Sequence, residues 1–168
     1  MAARDILKNF NLFVDGRGFA GNIGEYTPPN PSILTEEFRA GGMDGPIALD
    51  MGQELMETSF NLRAYDADVL ALWGVAPGNL IQVTARGALE SVDGTVKPVV
   101  HNMRVMIKAP DRGTWSPGQT TTLGIAATVE YFKETINGVL ICEIDIPNMI
   151  RNVGGTDRLA DIRTAIGM

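Results

Sequence analysis

The sequence predicts a mainly β chain, an antiparallel β-sandwich or open barrel with one internal helix and a short C-terminal helix. Three observations lead there. Long stretches alternate apolar and polar residues with the period of two that marks a strand with one buried face. Asp15-Gly16, Asp93-Gly94 and Asn137-Gly138 separate those stretches as hairpin turns do. The 19 glycines and 9 prolines among 168 residues suit a loop-rich β chain. At this length a single domain spanning 1–168 is expected, burying roughly 70% of its unfolded surface.

Phe10 to Val14 and a partner around Phe19 to Tyr26 flank Asp15-Gly16, so the chain is expected to open on a hairpin. From Thr27 to Asp50 come Pro28, Pro29, Pro31 and Pro46 with Gly41, Gly42 and Gly45, which impede ladder pairing. A connection longer than about 15 residues is uncommon inside a compact domain, so 27–50 reads as a projecting functional arm or a disordered segment. Leu55 to Leu62 alternates as a strand. Asp66 then offers an N-cap to a helix over Ala67 to Trp73, closed by Gly74.

Strands are expected at Ile81 to Leu89 and Val96 to Ile107, the second placing Val99, His101, Met103, Val105 and Ile107 on one side. Gln119 to Glu134 sets Leu123, Ile125, Ala127, Val129 and Tyr131 against Thr122, Gly124, Ala126, Thr128, Glu130 and Phe132. The last strand, Val139 to Asp145, stops at Pro147-Asn148. Gly154-Gly155 permits positive φ, Thr156 can cap, and Asp157 falls in the first turn of a helix whose Leu159, Ile162 and Ile166 recur at helical spacing. So short a helix is marginal alone and is expected to dock on the domain or on a neighbour.

Composition narrows the function. With 14 basic and 20 acidic residues the net charge is −6, which argues against a surface built to hold a phosphate backbone. Cys142 is the single cysteine, reads as a small core residue, and points to synthesis in a reducing compartment. Arg4, Asp5 and Lys8 disfavour a signal peptide, and Gly74, Pro77, Gly78, Asn79 and Gln82 interrupt the one long charge-free stretch, Val69 to Ala85. Cytoplasmic assembly, release by lysis and no stable membrane association are the expectation.

Catalytic chemistry finds little support. Gly16-Arg17-Gly18-Phe19-Ala20-Gly21 matches a dinucleotide fingerprint, but Pro28-Pro29 follows where a helix would have to meet the pyrophosphate, so a glycine-rich turn is the reading. Glu143 with Asp145, and Asp66 with Asp68, are paired carboxylates read as a solvated face and a helix-dipole pair, since hard cations need more ligands. His101 is the only histidine, so a His/Cys zinc cluster within one chain is ruled out, and it reads as a core or interface residue. The sequence contains none of the usual nucleophile, zinc-protease, P-loop or C-x-x-C motifs. No enzyme activity, cofactor or metal is expected. Trp73, Trp115 and eight methionines read as packing or contact surface.

Three segments carry a family resemblance. The C-terminal EIDIPNMIRNVGGTDRLADIRTAIG is similar to the C-terminus of tail tube proteins of contractile-tailed bacteriophages and R-type pyocins. Arg39-Ala40-Gly41-Gly42-Met43-Asp44, followed by Leu49-Asp50-Met51-Gly52 and Met56-Glu57-Thr58-Ser59-Phe60, resembles that family's R-A-G-G-M-[DN] loop and the strand after it. Asn11-Leu12-Phe13-Val14-Asp15-Gly16 is the third match.

The resemblance implies the tail tube fold, with six copies in a ring and rings stacked head to tail around a channel that conducts DNA or pierces an envelope. It implies partners in further copies, a sheath protein, and tail terminator and baseplate proteins, with DNA passing unbound. The particle would be a virion or a phage-tail-like particle. On this reading Arg39, Gly41, Gly42, Met43 and Asp44 reach the neighbouring ring or subunit, Asp66 and Asp68 face the sheath, and Leu159, Ile162 and Ile166 dock. An acidic to neutral lumen would let phosphates pass, with Thr128 and Glu130 its candidate lining and Arg86 the residue most at odds with it. The alternatives are a type VI secretion tube protein and a small-ligand or carbohydrate-binding β-sandwich.

Overall fold

The computed structural model describes residues 4–74 and 78–168. Pro77, one of the residues expected to interrupt the charge-free stretch, lies outside them. In chain order the strands and helices are β1 (Ile6–Val14), β2 (Arg17–Gly18), β3 (Ile23–Thr27), β4 (Ile33–Phe38), β5 (Ile47–Gln53), β6 (Met56–Leu62), α1 (Ala67–Ala71), β7 (Ile81–Glu90), β8 (Val96–Asp111), β9 (Leu123–Ile136), β10 (Val139–Asp145), β11 (Ile150–Val153), β12 (Thr156–Asp157) and α2 (Ala160–Ala165).

Ten strands form one antiparallel sheet in the order β12-β11-β10-β9-β8-β7-β1-β2, with β6 also on β9 and β3 on β6. Alternating inward residues cover one face, and the sheet curls to bury it: Leu12 and Val14 of β1 share a core with Phe60 and Leu62 of β6, Val83, Val105, Leu123 and Ile125. The expected mainly β, open-barrel class is what folds.

Strand β9 carries two neighbours on one edge. β6 pairs with residues 123–129 and β10 with 131–136, so the sheet forks at Glu130, whose carbonyl accepts from the Ile146 amide at 3.0 Å. Glu130 is also a bulge toward β8, since Val105 faces Val129 while Arg104 faces Tyr131. One extra residue shifts a period of two by one, so the inward set passes from Val129 to Phe132 and Tyr131 turns to the outer face. The sequence pattern had these two aromatics the other way round. Past the fork, Asn137 (φ 51°) and Gly138 (φ 78°) make the expected tight hairpin, with Asn tolerating the left-handed region and Gly requiring no Cβ there.

The first hairpin is shorter than expected. Asp15-Gly16 turns β1 into β2, but β2 holds only Arg17 and Gly18, and Ile23 to Thr27 leaves to pair with β6. Burial decides this: Phe19, between them, enters the core.

The arm is a hairpin where the proline and glycine content suggested an unpaired loop. β4 and β5 form a two-stranded sheet of their own. The prolines flank the ladder: Pro28, Pro29 and Pro31 precede β4 and Pro46 precedes β5, so no paired amide is lost. At the C-terminus Thr156 and Asp157 pair with β11 and do not cap or begin a helix; α2 starts at Ala160.

Candidate functional site

Every residue of β4 is exposed, as is every residue of β5 up to Met51. Residues opposite each other in an antiparallel ladder point to one face, so the register sorts the arm. Phe38 opposite Ile47 and Glu36 opposite Leu49 share one face; Thr35 opposite Asp50 and Glu37 opposite Ala48 share the other. Phe38, Ile47 and Leu49 thus make an apolar strip that their own chain leaves 40–50% exposed. At the tip, the sequence-chosen residues close a turn: Met43 N–H donates to Ala40 O at 3.2 Å, Arg39 Nε donates to Met43 O at 3.4 Å, and Gly42 takes φ +87°. Arg39, Gly41, Gly42 and Asp44 are exposed there and Met43 is half-buried.

The arm's opposite face meets the body through Asp50. Arg151 of β11 donates Nη2 to Asp50 Oδ2 at 2.6 Å and Nη1 to Oδ1 at 3.4 Å. Asp50 Oδ1 also accepts from Gly52 N at 2.9 Å, and the Arg151 hydrogen bond is the main reason its carboxyl lies below the usual aspartate value.

Of the two docking places expected for the C-terminal helix, its own domain is not the one used. Leu159 is half-buried, but Ile162 and Ile166 are 52% and 58% exposed, so the stripe does not dock on its own domain. What holds α2 is polar: Arg163 pairs with Asp157 at 2.9 Å and donates to Met149 O at 2.9 Å. Asp157 also accepts from Leu159 N at 3.1 Å, the leading cause of its lowered pKa.

The outer face of the long strands holds Thr128 and Glu130, both half-buried. Thr128 stands between Glu57 and Met106 in register, beside the Lys108–Glu57 ion pair at 3.0 Å. Farther along, Arg104 pairs with buried Asp145 at 2.7 Å and lies over the Tyr131 ring at 4.7 Å. Tyr131 donates to Glu143 at 2.7 Å, and burial with that carboxylate pushes its hydroxyl up to about 12. Glu143 and Asp145 are therefore structural partners and not the solvated pair the spacing suggested. Arg86 is exposed on β7, in register with Asn11 and Val100.

Asp66 caps α1 as expected, its carboxylate accepting from Asp68 N and Val69 N at 3.1 Å each. Both Asp66 and Asp68 also pair with Arg17, a contact their spacing did not reveal. Only Asp68 stays open to solvent, so little uncompensated acidity remains on that helix for a basic partner.

Sequence reasoning missed a polar cluster inside the barrel. His101 lies between Tyr26 Oη on Nδ1 and Glu134 Oε1 on Nε2, each at 3.1 Å, below a cavity of about 330 Å³ lined largely by apolar side chains such as Leu7, Phe10, Leu89, Val99 and Ile136. Cys142, half-buried beside Glu134, has its thiol pushed up by burial and then by that carboxylate. The signal lay in His101 falling on an apolar face, with no hint of which residues would meet it. Arg151 was missed too, because its partner is about a hundred residues away.

The model of the phage tail tube protein FII family matches residues 4–167. The chain belongs to that family. It is a structural subunit of a tail tube, a component of a virion or of a phage-tail-like particle. It is 29% identical to the tail tube protein of Escherichia phage P2 over 172 residues, covering 100% of both chains. It is 27% identical to the major tail tube protein of Serratia phage KSP20, covering 100% of this chain and 99% of the relative. In fold it is similar to a chain of the cryo-EM sheath–tube complex of an extracellular contractile injection system, PVC, in the extended state. That match has a TM-score of 0.59 over 76% of this chain and 88% of the other, at 10% identity, and so concerns the fold alone.

Proposed function

We propose that six copies close into a ring, that rings stack into a hollow tube inside a contractile sheath, and that the arm joins one copy to the next. The observation that carries this is the amphipathic arm: a two-stranded hairpin is at best marginal in water, yet this one projects with Phe38, Ile47 and Leu49 uncovered. A second copy is the natural cover in a family of tube subunits. Free strand edges give a second motive, because ring closure pairs or covers them. Sheath, tail terminator and baseplate proteins complete the particle in this reading, and DNA crosses the lumen without specific binding.

Negative-stain microscopy of the purified protein at high concentration is the direct test, with rings or tubes expected. Replacing residues 40–45 by a Gly/Ser linker is expected to leave a soluble β-rich monomer that forms no tubes, since surface loops tolerate change at small thermodynamic cost. Tubes of normal length from that variant would remove the arm tip from assembly.

A further inference from the structure

We infer that the Asp50–Arg151 pair is a strut that sets the angle of the arm and so presents Phe38, Ile47 and Leu49 to a second copy. The inference rests on the arm's assembly role above and adds to it the residues that position it. This pair ties β4–β5 to a strand about a hundred residues along the chain, whereas at the base of the arm Gln53 donates only to the neighbouring Ser32 and Glu54 carbonyls. Asp50 sits on the face opposite the apolar strip, so the tie holds the polar face to the body and turns the strip away from it.

Both ends of the strut are stiff. Arg151 is paired on two sides, with Ile144 of β10 across one and Arg158 N–H donating to its carbonyl at 2.8 Å on the other. Its side chain is only 14% exposed. Asp50 is held by its own Oδ1 accepting from Gly52 N, where Gly52 (φ +112°) forms the irregular end of the ladder. The two-pronged Arg–carboxylate geometry fixes direction as well as distance. A hairpin ordered in advance loses less conformational freedom on docking, which favours association without any added contact.

Arg151 also couples two surfaces. Its amide donates to Asp157 at 3.3 Å, and Asp157 pairs with Arg163 of α2, so arm, β11 and C-terminal helix form one polar chain. The apolar strip of the arm and exposed Ile162 and Ile166 are thereby held in fixed relation.

The test is hydrogen exchange of the full-length unassembled chain at residues 33–38 and 47–53, comparing wild type with Asp50→Asn and Asp50→Glu at low and high salt. Asp50→Asn keeps the Gly52 contact and removes the charge. Arm exchange is expected to rise roughly threefold or more in Asp50→Asn, with β8 and β9 unchanged. Asp50→Glu should stay near wild type, and salt should loosen wild type but not Asp50→Asn. An unchanged arm in Asp50→Asn overturns the strut, as does an equal rise in β8 and β9, or Asp50→Glu behaving like Asp50→Asn. Tube yield is measured in parallel. A loosened arm with normal tubes leaves the strut standing and overturns the presentation of the strip to a second copy, along with the arm's part in assembly.

Discussion

His101 and Glu134 stand directly opposite each other across β8 and β9, with imidazole Nε2 3.1 Å from the carboxylate. A neutral ring satisfies both neighbours if Nε2–H donates to Glu134 and Nδ1 accepts from Tyr26. Tyr26 suits that role, because burial and then Glu134 raise its pKa and keep its hydroxyl protonated.

His101→Ala removes the shared partner and leaves a hydroxyl and a carboxylate short of hydrogen bonds in a largely buried site. The expected loss is about 1–3 kcal/mol, read as a lower urea midpoint with an unchanged slope. A midpoint equal to wild type would show that the cluster adds nothing to stability.

The bulge at Glu130 makes a prediction about the two aromatics beside it. Phe132→Ala is expected to destabilise by about 3–5 kcal/mol, because the ring is fully buried between Met103 and Ile144. Tyr131→Ala should lose less, on the order of 1–2 kcal/mol, from its Glu143 hydrogen bond and Arg104 contact. Thermal unfolding of both variants checks this, and the reverse ranking would put the phase change elsewhere.

Ile162→Asp separates folding from assembly. The side chain is half exposed in the single chain, so monomer stability should move by no more than about 0.5 kcal/mol. Tube yield should fall if α2 meets a neighbour, since a charge would be buried unpaired there. Unchanged yield would leave the helix free in the tube.

Acid should loosen the periphery before the core. Asp50 and Asp157 have folded-state pKa values below the ordinary 3.8, the first mainly through Arg151 and the second mainly through Leu159 N–H. A depressed pKa means that the stabilising contribution is fully present above about pH 3.8 and is lost as pH falls through the lower folded value. Heteronuclear NMR from pH 5 to 2 is expected to broaden or shift arm and α2 resonances before those of β8 and β9. Asp157→Asn should remove that early transition from α2 alone.

The channel prediction concerns charge. If Glu130 lines the lumen of a DNA-delivering particle, Glu130→Lys is expected to slow genome delivery, most at low salt, because a basic wall residue retains phosphates where screening is weak. Delivery at the normal rate across salt concentrations would exclude Glu130 from the lumen wall. The Glu57–Lys108 pair beside Thr128 already makes that stretch of outer face mixed in charge.

Legibility followed the range of the forces involved. The Asn137-Gly138 turn, the Asp66 cap and the span of β10 rest on interactions within a few residues, and the structure has them where the sequence put them. The family was legible as well, since its three matching segments are read as local strings. The β3 partner, the fate of Thr156 and the exposure of Ile162 were not legible, because each depends on a surface contributed from elsewhere in the chain.

By itself, then, the sequence determined the alternating strands and the tight turns between them, all set by backbone preference and by burial at a period of two. Tertiary structure alone decided the fork at Glu130, the Phe132 and Tyr131 exchange, the His101 cluster, and the pairing of Asp50 with Arg151 across 101 positions. The reason is that strand register and long-range ion pairs are fixed only when the whole sheet closes on its core. A one-residue slip that no local pattern forbids moves every side chain beyond it to the other face.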